Sequence, residues 1–161
     1  MITKNSPQFA FWWRWLVAVT VGLLLFGAGL FLAPDPASRV FGLLFYSSPS
    51  RFSALGEPAA AYIKFAHGVL GAVLFGWSVT LLMLLLGPFR RASKESWQII
   101  VLSLLAWFIP DTVFSLWSGF WQNAVLNTVI AAFFAVPLVA TYLILKRIKR
   151  DEQVGTPQPN L

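Results

Sequence analysis

The chain has 161 residues, of which 58% are apolar and only 11% charged, against about a quarter charged in ordinary soluble domains. A soluble domain of this length has too little interior for that much apolar surface, whereas lipid accommodates it. The net charge of +6 comes from basic residues at the ends of apolar runs, which sets nucleic acid aside as a partner. The absence of cysteine excludes disulfides, thiol catalysis, Cys-ligated zinc and iron–sulfur clusters.

Residues 15–33 form the first uncharged apolar run. A run of about 20 residues crosses a hydrocarbon core roughly 30 Å thick. Backbone groups in lipid must be paired within their own segment, so the run predicts a helix and not a strand. Cleavage as a signal peptide after Ala33 or Ala37 would place Phe31 or Asp35 at the −3 position, where a small residue is needed; the run is therefore read as a retained span. Ala18 and Gly22 give it a small-residue face for close helix packing.

The segment 34–60 is longer than the other connections. Asp35 followed by Pro36 reads as an N-cap with proline at the first helical position. The following residues are too few to span and too apolar for water. A short helix over 36–46, lying on the membrane surface or folded over the bundle mouth, fits them, and Pro49 with its flanking serines ends it.

The second span, 61–86, is interrupted by Lys64 and His67. Its Gly68, Ala72 and Gly76 share a face at four-residue spacing, open to bundle packing or to a dimer interface. A short basic loop, 87–96, leads to the third span, 97–117, which contains Pro110 and Asp111. Pro110 has no N–H, so the Ala106 carbonyl is left without its helical donor. After a tight turn at 118–122 the fourth span, 123–145, contains Pro137, where a kink is expected. The tail 151–161, with Pro157 and Pro159, is expected to be disordered. The four spans share no repeat, so an inverted-repeat transporter is not supported.

Basic residues set the orientation. Lys4, Arg14, Arg90, Arg91, Lys94, Lys146, Arg147, Lys149 and Arg150 fall on one side, and Arg39, Arg51 and Lys64 on the other. The positive-inside bias puts both termini in the cytoplasm and the 36–46 helix outside. Trp12, Trp13, Trp15 and Trp97 then mark the inner interface, and Tyr62, Trp117 and Trp121 the outer one. The expected architecture is an all-α, four-span membrane bundle with a short interfacial helix in its first outer loop.

Ionisable groups at membrane depth are costly and mark candidate sites. Counted at 1.5 Å per residue, His67 and Asp111 each lie about 9 Å below the outer surface. Lys64 is one turn above His67, and Ser115 one turn outward from Asp111; Asn123 and Asn127 open the fourth span at a matching level. These six residues predict a polar pocket facing outward. Two roles stay open. Asp111 pairs with Lys64 or His67 and accepts from Asn127, pinning helices together, or the group binds a ligand or handles a proton. A quinone held by His67 and Asp111 and lined by Trp107 and Phe108, or a haem on His67, is the cofactor chemistry these residues would permit. His67 and Asp111 with amide oxygens are a poor set for a metal, and none is expected.

The segments 62–77 (YIKFAHGVLGAVLFGW) and 111–127 (DTVFSLWSGFWQNAVLN) resemble those of uncharacterised bacterial four-helix inner-membrane proteins of the DoxX type. The likeness covers architecture over residues 15–145 and sequence only in these segments. It implies a small accessory protein with respiratory-chain, redox or quinone associations, and it carries no catalytic residue over. The expectation from sequence is thus a non-enzymatic protein embedded in the lipid bilayer, acting within a larger membrane complex or a homo-oligomer. The alternatives are a quinone or lipophilic-ligand binder and, third, an oligomeric transporter.

Overall fold

The computed structural model describes residues 6–154, with side chains throughout that range except at 148, 149 and 151–154. The described residues contain five helices and no strand: α1 Pro7–Leu32, α2 Pro34–Tyr46, α3 Glu57–Leu86, α4 Lys94–Trp117 and α5 Trp121–Val154. Single 3-10 turns at Ser53–Leu55 and Phe89–Arg91 precede α3 and α4. The helices α1, α3, α4 and α5 are long and apolar enough to cross a membrane.

Helix ends extend beyond the apolar runs, because a charge ends a hydrophobic stretch without ending a helix. The first helix starts at Pro7 and not at 15, capped by Ser6, whose Oγ accepts from the Phe9 N–H at 3.2 Å. The last helix starts at Trp121 and runs through the basic cluster to Val154; the rest of the expected disordered tail lies outside the described residues. The short helix also begins earlier than expected. Ala33, with φ −135° and ψ 62°, is at once the C-cap of α1 and the N-cap of α2, so Asp35 sits in the first turn and not at the cap. Pro34 explains the break, since the residue before a proline is pushed out of the helical region.

The bundle is a ring in the order α1, α3, α4, α5. α1 packs most extensively on α3, α4 packs on α5, and α1 also packs on α5. α3 and α4 have fewer close backbone approaches; Trp77 bridges them, its Nε1 donating to Ser103 Oγ at 2.6 Å and its ring lying 5.7 Å from that of Trp107. The buried residues of α1, namely Phe9, Leu16, Thr20, Leu23, Gly27 and Leu30, recur at heptad-like spacing, the stripe that two nearly parallel helices bury. The buried hydroxyls of Thr20, Ser78 and Thr141 donate to carbonyls of their own helices. They are therefore satisfied without a partner helix.

At the end that carries the termini, indole N–H groups tie the helices. Trp13 donates to the Leu85 carbonyl at 2.8 Å, at the C-terminal turn of α3, and Trp97 to the Leu138 carbonyl at 2.9 Å. Pro137 leaves the Phe133 carbonyl without its helical donor, and Trp15 Nε1 takes that place at 3.1 Å. The outward faces remain apolar. Leu25, Phe65, Val73, Met83, Leu102 and Phe114 are all mostly exposed, more apolar surface than a soluble monomer leaves to water.

Close helix approach falls at other glycines than the expected faces. A Cβ on Gly71 would lie 2.6 Å from the Gly27 carbonyl oxygen, and one on Gly27 would lie 2.8 Å from the Phe75 nitrogen. Gly22, Gly68 and Gly76 would meet nothing within 4 Å, and Ala18 and Ala72 are exposed. The α1–α3 crossing therefore turns on Gly27 and Gly71, and the stripe at 68, 72 and 76 is not its packing face. Gly71→Ala should lower stability by about 1–3 kcal/mol through overpacking. Gly76→Ala should change it by less than about 0.5 kcal/mol. Reversible unfolding in mixed detergent micelles measures both, and equal effects would contradict this crossing.

Candidate functional site

The six residues expected to share one pocket belong to two separate networks at the α2 end of the bundle. The first joins α4 to α5. Trp107, Asp111 and Ser115 recur every four residues on one face of α4, and Gly119, at φ +81°, lets the chain reverse into α5. Asp111 accepts from Trp107 Nε1 at 3.1 Å through Oδ2 and from Asn123 Nδ2 at 3.1 Å through Oδ1. Ser115 Oγ lies 2.7 Å from the Asp111 carbonyl and 3.3 Å from its carboxylate. Its single proton goes to the nearer carbonyl, and its oxygen accepts from Asn123 Nδ2 at 2.8 Å. One turn on, buried Asn127 donates to Thr112 Oγ1 at 3.4 Å.

Asp111 forms no ion pair with any described residue. Its carboxylate oxygens are met instead by directed N–H donors from Trp107 and Asn123. The expected pairing of Asp111 with Lys64 or His67, and its acceptance from Asn127, are not what the structure contains. Shared depth did not bring these groups together, because the Asp111 donors come from α4 and α5.

The second network joins α2 to α3. Lys64 Nζ lies 2.6 Å from Asp35 Oδ1. One turn further on each helix, Ser38 Oγ lies 3.3 Å from His67 Nδ1. Another turn along α2, the Phe41 ring stacks on the imidazole with centroids 4.6 Å apart, and Phe52 closes in at 6.0 Å. Asp35, Ser38 and Phe41 thus form a ladder at three-residue spacing against Lys64 and His67. This partner set was missed; its signal was the matching i, i+3 spacing on the two segments.

The Asp35–Lys64 pair is solvated, with side chains 62% and 46% exposed, so it positions α2 more than it stabilises the fold. The ammonium hydrogen bond and charge of Lys64 hold the Asp35 carboxyl below the usual carboxylate range. Between α2, the 47–56 connection and α3 lies a cavity of about 550 Å³, lined by Asp35, Ser38, Arg39, Phe52, Glu57 and Lys64 among others. That volume suits a small ligand. Among the described residues, no group of three or more His, Asp or Glu side chains is arranged to hold a metal ion.

Fold and site together define a small all-α bundle of four long apolar helices, with a short helix laid across one end and its charged cavity at that end. No protein-family model matches this chain, and neither does any curated protein or solved structure.

Asn123→Ala should cost about 1–3 kcal/mol by stripping a donor from a partly buried carboxylate. Asp111→Leu with Asn123→Leu should cost less than the sum of the single changes, as read by a double-mutant cycle of unfolding in micelles. A depressed carboxylate contributes above its unperturbed pKa and loses its contribution as pH falls through the lower folded value. Docking of α2 on α3 should therefore loosen as pH drops below about 4. Spin labels on cysteines introduced into α2 and α3 of the cysteine-free chain would report the separation, and Asp35→Asn should abolish the acid-dependent change.

Proposed function

We propose that the chain is a small multi-pass protein of the bacterial inner membrane, both termini cytoplasmic, that binds a small polar or amphipathic molecule at its outer face. The observation that carries this reading is the cavity of about 550 Å³, which sets Asp35, Arg39, Glu57 and Lys64 together at the α2 end of the bundle. The apolar outward faces and the basic residues gathered at the opposite end support the membrane setting. The resemblance to DoxX-type proteins points to the same setting. Binding without chemistry is the reading for two reasons. Asp111 is engaged by Trp107 and Asn123, which makes it a clasp between helices. Ser38 and His67 touch, but no described carboxylate hydrogen-bonds the imidazole to orient it, so a hydrolytic triad is not assembled.

A second reading, an accessory subunit in a larger complex or homo-oligomer, is favoured by the open face of α3 at Gly68, Ala72 and Gly76. Native mass spectrometry of the gently solubilised chain separates the two. Ligand binding predicts a retained small molecule that is lost when Ala60→Trp fills the cavity. Identical small-molecule spectra for wild type and variant would sink that reading, and a co-purifying protein indifferent to Ala60→Trp would favour the second.

A further inference from the structure

The four charges of the cavity are not equally engaged. Asp35 and Lys64 hold each other at 2.6 Å. Arg39 and Glu57 line the same cavity but form no ion pair with any described residue. Arg39 lies one turn beyond Asp35 on α2, and Glu57 two turns before Lys64 on α3. The Asp35–Lys64 pair bridges the two helices, so the open cation and the open anion stand on different walls. The four lining charges sum to zero, two positive and two negative. An anion alone would gain Arg39 and meet repulsion from Glu57, and a cation alone would suffer the reverse. A molecule with both charges satisfies both walls and leaves the bridging pair intact. Phe52 adds an aromatic ring to the lining, a neighbour that an ammonium group favours.

We infer that this cavity takes a small zwitterion, its anionic group on Arg39 and its ammonium on Glu57, either free in solution or as the headgroup of a zwitterionic phospholipid. The inference rests on the ligand-binding reading above and names its ligand class. Each charge-assisted contact accounts for about tenfold or more in affinity.

Calorimetric titration of the full chain in phosphatidylglycerol nanodiscs with glycerophosphoethanolamine tests it, against glycerol phosphate and ethanolamine alone. The zwitterion should bind, and each half should bind at least about tenfold more weakly. Arg39→Gln and Glu57→Gln should each cost a similar factor, and the exchange of Arg39→Glu with Glu57→Arg should restore part of the loss. Glycerol phosphate binding as tightly as the zwitterion, or indifference to Glu57→Gln, would overturn the assignment. Discs containing phosphatidylethanolamine identify the source: competition there makes the lipid headgroup the occupant, and undiminished binding makes it the free solute. If mass spectrometry finds a molecule sensitive to Ala60→Trp while glycerophosphoethanolamine does not bind, the zwitterion falls and the ligand-binding reading stands. Absence of both removes the two together.

Discussion

The contact of the α1 and α3 backbones at Gly27 and Gly71 is the constraint on which the rest of this structure depends. With a carbonyl oxygen of one helix 2.6 Å from where the other would place a Cβ, no side chain separates the two at that level. α1 and α3 are joined only through α2 and the 47–56 connection. Fixing their crossing therefore fixes the span that α2 has to cover. The hydrogen bond of Ser38 to His67 and the stacking of Phe41 on the imidazole follow from that placement. The same crossing leaves α4 to pair with α5, and Trp77 and Trp107 to fill the wider seam between α3 and α4.

Polar interactions are divided by length scale. The buried hydroxyls of Thr20, Ser78 and Thr141 are satisfied within their own helices, and the Trp13 and Trp97 N–H groups bridge helices toward the termini end. Networks that include ionisable groups occur at the α2 end, one exposed and one partly buried. The exposed pair costs little desolvation and contributes correspondingly little. Asp111 costs more to bury and is matched by donors held at fixed positions by the α4–α5 turn. Separate neighbours give the two networks separate roles, a wall for the cavity and a clasp for a helical hairpin.

The long helices were legible because a span of about 20 apolar residues is a one-dimensional signal. The Asp111, Ser115 and Asn123 cluster was legible for a related reason, since its members lie on one hairpin with a short turn. Lys64 and His67 were assigned to the wrong neighbours because depth along a helix says nothing about azimuth. Groups at one level meet only if their helices turn those faces together. The small-residue pattern misled in a similar way. Gly68, Ala72 and Gly76 carry the expected spacing, yet the contact uses Gly71, whose partner Gly27 no spacing rule connects to it.

The joint between α1 and α2 has a mechanical consequence. A single residue, Ala33, separates the two helices, and Pro34 has its own φ locked. The elbow consequently has little compliance, and torque on α2 passes straight into α1. At its far end α2 is braced, with the Phe45 and Tyr46 rings 5.6 and 6.2 Å from that of Phe120. A strut held at both ends does not swing as a door. The molecule proposed above would then have to enter and leave past the 47–56 connection rather than by a movement of α2.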